Sequence, residues 1–383
     1  MKKPERHFGT AAALVAEEAR REVKRNASWR RGDARNLGTM IPGISIIVCL
    51  YLIAIFADFL APYDYRVQSR REPLAPATTL RLRDAAGQWH SRPFVYVRRL
   101  VDPLEQRYEE DSQRACPLEL FTRGYTYRLF GLFTTDRHLF GVRVGNNAEA
   151  TRAYLLGTDA FGRDRLSRLV VAARFSLVVG PLGTALASAL GILIGCVAGY
   201  AGRWLDAILM RAADVLMALP TLVLILAVRA AFPLELPPTR AAVLLVTIFF
   251  ALGWAEMSRL ARGLVMELRQ REFVLAAVSL GLSPARVLVR HVLPNAATPL
   301  AVQAFLMLPA FLLAETALSF LGVGLQEPEA SWGSLLTASA DITLLERGYA
   351  VVLLAPALAI ALFVLAVRLL SAGLESRQKR DLS

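Results

Sequence analysis

Three acidic residues lie inside or beside long apolar segments, where an ionisable side chain is costly and needs a specific role. Asp214 is close to Arg211 and Glu256 is close to Arg259, so local ion pairing explains both acids most simply. Glu315 is the stronger candidate for a polar pathway or a contact between helices. An intramembrane enzyme built on Asp214 or Glu315 would need two facing acids or histidine ligands at helical spacing, and the sequence contains only isolated acids.

Other patterns for catalysis or nucleotide binding are missing from the sequence. It has no HExxH motif and no plausible Ser-His-Asp set, and His90 and His138 lack a second ligand at metal spacing. None of its few lysines lies in the Gly-Lys-Ser/Thr triplet of a phosphate-binding loop, whose lysine reaches the β- and γ-phosphates. We therefore expect no catalytic, cofactor or metal site in this chain, and any ATP-driven step must come from a partner.

The composition indicates a membrane protein. Of the 383 residues, 55% are hydrophobic and 20% are charged, and several apolar runs reach the roughly 20 residues that cross a bilayer as a helix. The net charge of +12 is typical of basic cytoplasmic loops, and no nucleic-acid-binding signature accompanies it. We predict an all-α polytopic protein of the lipid bilayer with no nucleic-acid partner.

Six apolar segments are predicted to span the membrane. The basic tail 1–39 should remain cytoplasmic, so the first helix, 40–60, leads outward and both termini are cytoplasmic. The insertion 61–155 is expected on the outer side and partly β, because short runs at 94–97 and 125–130 alternate as strands do. The core 156–372 holds the other five spans, and 373–383 is a cytoplasmic tail. Those five spans are predicted at about 176–199, 207–230, 240–258, 297–321 and 348–371.

The second predicted span is rich in glycine at spacings of three to eight residues. Small residues allow helices to approach closely in lipid, where packing drives their association. We therefore predict that this span packs tightly on its neighbours. The glycines concerned are Gly180, Gly183, Gly191, Gly195 and Gly199.

The basic segment 271–295 is predicted to form two short helices joined by a bend, an element we call the elbow. Gly281 fits the position just past the first helix, because glycine tolerates positive φ. Ser283 and Pro284 fit the cap and the first turn of the second helix, and Pro294 is predicted to end it at or before the preceding residue. Because the elbow is basic and lies between two spans, it should face the cytoplasm.

The segment 156–168, Leu-Gly-Thr-Asp-Ala-Phe-Gly-Arg-Asp-Arg-Leu-Ser-Arg, precedes the second span, and we call it the outer motif. Thr158 or Asp159 is predicted to cap the helix that follows. Asp164 and Arg168 have the i,i+4 spacing of a helical ion pair. On local grounds alone this is a helix start with surface ion pairs.

The residue order of both segments resembles a known family. The elbow resembles the "EAA" coupling loop of ABC-type importer permeases, in the form seen in peptide permeases, although Leu275 stands where the family has Glu. The outer motif is similar to the segment before the second span of dipeptide and oligopeptide permeases. Within a coupling loop at 259–296, the candidate residues are Leu275, Ala276, Ala277, Gly281, Ser283, Pro284, Arg286, Arg290, His291, Leu293, Pro294 and Asn295. The candidates in the outer motif are Gly157, Thr158, Asp159, Gly162, Arg163, Asp164, Ser167 and Arg168.

The resemblance implies the C-type permease subunit of peptide/nickel/opine ABC importers, with the six-helix type I importer permease fold. The insertion resembles that of the microcin C and oligopeptide subgroup. Such permeases pair with a second permease subunit in the bacterial inner membrane. Two cytoplasmic ATPase subunits bind ATP and Mg and dock on the elbows, and a periplasmic binding protein delivers the substrate, here expected to be a peptide or peptide-like compound. A self-contained secondary transporter, or an enzyme using Asp214 or Glu315, is the alternative.

Overall fold

The computed structural model describes residues 38, 40–129, 131–142, 152–200, 202–337 and 353–381, with side chains of the last segment to Ser376. The predicted cytoplasmic tail 1–39 lies almost wholly outside these residues. The described residues form a helical body and a four-stranded antiparallel sheet.

The elements follow the chain in two blocks, with the sheet inserted after the first helices. The first helices are α1 (Met40–Ile55) and α2 (Ala57–Leu60). The strands are β1 (Arg81–Arg83), β2 (Trp89–Asp102), β3 (Arg107–Leu129) and β4 (Phe133–Val142). The remaining helices are α3 (Arg165–Tyr200), α4 (Arg203–Met217), α5 (Thr221–Ala230), α6 (Pro238–Leu268), α7 (Glu272–Ser279), α8 (Pro284–Val287), α9 (Leu293–Phe320), α10 (Trp332–Leu336) and α11 (Ala355–Asp381).

Four helical stretches of the described residues are long and apolar enough to cross a membrane: α3, α6, α8 continued into α9, and the first part of α11. The bent pair α4 and α5 passes the same test as one broken span. Helix α1 is apolar but short, and its hydrogen bonding continues into α2 through Leu60 N–H and Phe56 O at 2.9 Å. The mostly helical membrane fold is as predicted, whereas the count of six spans stays a prediction.

The third predicted span, 207–230, is not one straight helix. Helices α4 and α5 meet at an angle of 85° across a break of three residues that ends in Pro220. Proline disfavours helical backbone at the preceding residue and has no N–H to donate, so the helix ends before it. The segment was predicted as one span from its apolar composition, which does not reveal the break.

Three helices extend beyond their predicted bounds. Helix α3 begins 11 residues earlier than the predicted 176, and α6 continues to Leu268 rather than ending at 258. The extra turns of α6 have partners on neighbouring elements, because Arg262 pairs with Asp206 of α4 and Arg269 Nη1 donates to Gly199 O at 2.8 Å. The last helix likewise continues past the predicted span end at 371 into the expected tail.

The core of the helical body is the contact between α3 and α6. At Gly191 and Gly195 an added Cβ would lie 2.6 Å from the Cβ atoms of Met257 and Ala261, so only glycine permits this approach. The glycine-rich face of α3 therefore packs on α6 as expected from small-residue packing in lipid.

The sheet is an antiparallel meander in the order β1-β2-β3-β4. Strand β3 is long, and it pairs with β2 through its first half and with β4 through its second half. The predicted strand at 94–97 lies within β2, and the one at 125–130 lies in β3 up to Leu129. His138 joins the sheet to the helical body, since its Nδ1 and the carbonyl oxygen of Asp58 are 3.0 Å apart.

Candidate functional site

The elbow has the turn that its sequence predicts. Helix α7 ends at Ser279, and Gly281 has φ of +80°, a conformation that glycine adopts at little cost. Leu282 N–H then bonds back to Ala277 O at 3.3 Å, which closes the end of the helix. Pro284 occupies the first turn of α8, and Ser283 precedes it, although the Ser283 side chain makes no capping hydrogen bond.

The prediction that Pro294 ends the second helix is wrong. Helix α8 continues through a π-helical turn, Leu288–Val292, directly into α9. Leu293 N–H bonds to Leu288 O, a step of five residues. A π turn is wider than an α turn, so it makes room for the ring of Pro294, which would clash with an ordinary helical carbonyl. The elbow is therefore fused to a membrane-spanning helix without a break.

The two faces of α7 have different surroundings. Val274 and Ala277 are buried in an apolar cluster that includes Cys196 of α3 and Val265 of α6. The rest of the surface of this short helix is exposed and carries several large apolar side chains, with Leu275 at 53% and Leu280, just past its end, at 81% of full exposure. The position where the family has Glu thus lies on the outer surface. The exposed apolar face consists of Phe273, Leu275, Val278 and Leu280.

The other candidate residues of the elbow form an open surface rather than a closed site. Ala276, Arg286 and Arg290 are exposed, whereas His291 is half-buried. Asn295 Nδ2 donates to His291 O at 2.6 Å, one turn back along the chain, and stabilises the π turn. Such a surface is suited to docking another protein and not to bond chemistry.

The outer motif contacts the segment 69–75, which follows α2 in the chain. Thr158 Oγ1 donates to Glu72 O at 2.6 Å and accepts from Ala75 N at 2.7 Å. Gly162 has φ of +73°, and a Cβ there would collide with Ser69 O. Thr158 therefore does not cap the next helix as predicted, because its hydroxyl is used in this contact.

Two buried arginines of the motif share one acid. Arg163 and Arg168 both donate to the carboxylate of Glu327, with Arg168 Nη2 and Glu327 Oε1 at 2.9 Å. Arg163 Nε also donates to Asp159 Oδ2 at 2.7 Å. Burial alone would raise the pKa of Glu327, but the two guanidinium groups outweigh it and hold that pKa below its usual range.

The sequence did not identify Glu327, which lies 159 residues from Arg168. The predicted pair of Asp164 and Arg168 is also wrong, since the Arg168 side chain is directed to Glu327. Nothing in the spacing of the outer motif pointed to Glu327.

Asp164, and not Thr158 or Asp159, caps helix α3. Asp164 Oδ2 accepts hydrogen bonds from Ser167 N at 2.9 Å and from Ser167 Oγ at 2.6 Å. Asp159 instead accepts from the backbone N–H groups of Phe161 and Arg163. Complete burial raises the pKa of Asp164 to about 6, although the Ser167 hydrogen bonds oppose the shift.

Glu315 is fully buried in a contact between α3, α9 and the outer loop. Ser176 Oγ lies 3.1 Å from Glu315 Oε2, and Ser319 Oγ donates to Glu315 Oε1 at 2.8 Å. Trp332 N donates to Ser176 Oγ at 3.2 Å, which connects α10 to the same network. Of the two interpretations left open for Glu315, these contacts favour the one between helices.

The other two acids make separate contacts within the helical body. Asp214 pairs with Arg259 of α6 at 3.2 Å, so the expected partner, Arg211, is wrong. Glu256 accepts a hydrogen bond from Gln303 Nε2 at 3.4 Å. Glu256 and Gln303 line a cavity of about 570 Å³ among α4, α5, α6 and α9, whose other walls are mainly apolar.

Within the described residues, no group of three or more His, Cys, Asp or Glu side chains could hold a metal ion. Spanning helices, a largely apolar cavity and an exposed elbow fused to a span define an integral membrane transport subunit. In this class of protein the chain moves a substrate and another subunit provides chemical energy.

Comparison with known proteins identifies the family. Residues 191–380 match the model described as binding-protein-dependent transport system inner membrane component, and residues 40–77 match the N-terminal membrane segment of oligopeptide transport permease C. A peptide permease candidate of Brucella suis is 36% identical over 228 residues, which cover 60% of this chain and 73% of that protein. The oligopeptide transport system permease OppC of Mycobacterium tuberculosis is 36% identical over 222 residues, covering 57% and 73%.

The chain belongs to the family of inner membrane components of binding-protein-dependent transport systems. It is the permease component of an ABC importer and works with other components of such a system. It is not itself an enzyme, because a partner ATPase performs the hydrolysis.

Proposed function

We propose that this permease imports peptides or peptide-like compounds as one half of a heterodimer with a second permease subunit. Two cytoplasmic ATPase subunits bind ATP and Mg and dock on the elbows of the two permeases. A periplasmic binding protein delivers the substrate to the outer side. In this arrangement both termini of the chain are cytoplasmic and the sheet is periplasmic.

The observation that carries the proposal is the construction of the elbow. One face of α7 is buried against α3 and α6, whereas the other presents exposed apolar side chains beside Arg286 and Arg290. Exposed apolar patches of this kind mark protein interaction sites. Because α8 runs through the π turn into α9, a displacement of the elbow is transmitted to a helix that lines the cavity.

The cavity supports the heterodimer. Its walls come from helices α4, α5, α6 and α9, and exposed apolar residues such as Leu222 and Leu313 lie along it. A second permease subunit facing these helices would close the cavity into a passage between the two chains. ATP binding would then favour one of the two states of this passage only if ATP binds to the complex more tightly in that state than in the other.

The peptide substrate rests on the names of similar proteins. Besides the OppC protein of M. tuberculosis, the dipeptide transport system permease DppC of Alkalihalophilus pseudofirmus is 36% identical over 203 residues, covering 51% of this chain and 65% of that protein. The test is to express the chain with its neighbouring genes and to purify it by a tag at its C-terminus. We expect a second permease and ATPase subunits to copurify, and vesicles containing the complex to take up labelled peptides when the binding protein and ATP are present. Purification of the chain alone, or uptake without ATP, contradicts the proposal.

Gly281→Ala tests the coupling role of the elbow. A side chain at φ of +80° is strained, by about 1 kcal/mol, although nothing lies within 4 Å of the added Cβ. We expect substrate-stimulated ATP hydrolysis to fall severalfold while the subunit still inserts. Gly263→Ala is the matched control, because this site in α6 is also open but has no positive φ. Equal hydrolysis by the two variants would show that the elbow does not couple.

A further inference from the structure

The sheet carries a group of exposed apolar side chains that the transport function does not use. The sheet, residues 81–142, lies outside both stretches that match the family models, 40–77 and 191–380. Its β3–β4 hairpin exposes two pairs of large apolar residues, which we call the hairpin patch. The patch consists of Leu120, Phe121, Leu132 and Phe133.

The middle of the hairpin lies against the outer end of the first membrane helix. The Phe121 and Phe59 rings are 6.1 Å apart, and Tyr125 Oη and His138 Nδ1 both contact Asp58 O. The Asp58 carboxylate pairs with Arg174 of α3 at 2.8 Å. An ion pair with surrounding aromatic rings at the end of an apolar helix is typical of the membrane interface.

Strand β3 runs toward this interface. Near its start, Tyr108 Oη donates to Pro73 O at 2.5 Å, in the segment held by the outer motif. The outer motif precedes α3, whereas Arg174 lies about nine residues, or roughly 13 Å, down that helix. The strand therefore passes from the level of the outer motif to the level of Asp58, and the hairpin tip with Leu132 and Phe133 follows a few residues beyond Tyr125.

The local backbone explains why two adjacent side chains of the strand are both exposed. Neighbouring residues of a regular strand point to opposite faces, so one of Leu120 and Phe121 would be covered. Phe121 has φ of +56°, which is unusual for a large side chain, and Arg137 Nη1 donates to its carbonyl oxygen at 2.9 Å. At this interruption Leu120 and Phe121 are both exposed, and Phe121 lies beside Phe59.

The charges near the patch fit a lipid surface. Arg123 and Arg128 are exposed on the same hairpin, one on each side of the Tyr125 contact with Asp58, and Arg123 lies 3.8 Å from the partly exposed Asp136 carboxylate. Apolar side chains that enter the acyl boundary while arginines meet lipid phosphates are the usual arrangement of an interfacial anchor. We propose that the hairpin patch inserts into the outer leaflet of the bilayer and anchors the sheet to the membrane beside the first helix.

Three single-cysteine variants test this proposal in the assembled complex, in vesicles of phosphatidylethanolamine and phosphatidylglycerol. Leu120→Cys and Leu132→Cys place a nitroxide label in the patch, and Leu104→Cys places one at the β2–β3 turn, where the side chain is 93% exposed. The native cysteines are replaced by Cys49→Ser, Cys116→Ser and Cys196→Ala. Collisions of each label with oxygen, which concentrates in lipid, are compared with collisions with a water-soluble nickel chelate.

We expect the ratio of oxygen to nickel collisions to exceed one at Leu120 and Leu132 and to fall below one at Leu104. A ratio below one at both patch positions places the hairpin in water and overturns the proposal. Shielding from both reagents would mean that protein covers the patch, which also overturns it. If the cysteine-free chain does not assemble, Leu132→Trp and Leu104→Trp decide the question. Against the background of the five native tryptophans, brominated lipid should quench the fluorescence that the first variant adds over the wild type and not the fluorescence that the second adds.

Discussion

At the scale of single residues, the outer motif depends on one acid from a distant loop. Arg163 and Arg168 are almost completely buried, and Glu327 accepts hydrogen bonds from both. A buried cation that loses its partner is strongly destabilising, because its desolvation is no longer compensated. Of the acids in the described part of the chain, Asp159 would remain close to these two guanidinium groups.

Glu327→Gln should therefore lower stability by about 3 kcal/mol, the low end of the range for breaking a buried ion pair, because the Glu327 side chain is itself half-exposed. The thermal unfolding midpoint of the purified complex measures this loss. Glu267→Gln is the control, since Glu267 and its partner Arg271 are both more than half exposed and such pairs contribute about 0–1 kcal/mol. Equal shifts for the two variants would contradict a special role for Glu327.

The raised pKa of Asp164 predicts that the stability of the protein depends on pH. Its pKa is about 6 in the folded protein against an ordinary value of 3.8, so the folded state binds the proton more tightly than the unfolded state. The contribution of this group therefore stabilises the fold as pH falls from about 6 toward 4, and is lost as pH rises through 6. Asp164→Asn keeps an oxygen that accepts from Ser167 N but cannot titrate.

We expect the difference in unfolding midpoint between Asp164→Asn and the wild type to change across this pH range. The variant should gain relative to the wild type as pH rises from 4 to 7, because the wild type then buries a charge. A constant difference across the range would show that Asp164 does not titrate there.

At the scale of elements, the close contacts between helices depend on glycine residues, which have no side chain. Gly195 of α3 lies against Ser258 and Ala261 of α6, so an added methyl group would push the helices apart. Gly195→Ala should lower stability by about 1–3 kcal/mol, the usual cost of overpacking. Gly263→Ala, where nothing lies within 4 Å, should leave the unfolding midpoint unchanged or raise it. A comparable loss in both would contradict the packing explanation, because Ala favours the helix over Gly and the open site at Gly263 has nothing to overpack.

The elbow shows how much local sequence can specify at this scale. Gly281 and Pro284 follow rules that involve only neighbouring residues, and the turn forms where those rules place it. The rule that proline ends a helix applies to Pro294 only if the preceding backbone is an ordinary α-helix. The π turn changes that backbone, so the helix continues where the local rule predicts an end.

At the scale of the whole molecule, the proposed topology places the sheet and the elbow on opposite sides of the membrane. Leu104 of the sheet and Leu280 of the elbow are both highly exposed leucines, at 93% and 81%. In intact cells, a membrane-impermeant thiol reagent that passes the outer membrane should label Leu104→Cys made in the chain whose three native cysteines are replaced. The same reagent should label Leu280→Cys only after the inner membrane is permeabilised.

The ATPase subunits provide a second readout for the same pair of variants. In permeabilised membranes, their presence should slow labelling of Leu280→Cys severalfold, because they would cover the exposed face of α7. Labelling of Leu104→Cys should not change. Labelling of both cysteines from the same side would overturn the topology, and unprotected Leu280→Cys would overturn the docking.

The sequence by itself determined the features that rest on composition and on neighbouring residues. Its apolar runs predict a helical membrane protein, its glycines predict close helix packing, and its residue order around Gly281 and Gly157 resembles peptide permeases. Only the tertiary structure decided the pairing of Glu327 with two arginines, the pairing of Asp214 with Arg259, and the cap at Asp164. Two of these contacts join distant parts of the chain, and the cap depends on where α3 begins, directly after Asp164. The spacing of residues along the chain does not indicate which distant group will pair with a given side chain. Because these side chains are buried, such a pairing has a large effect on stability.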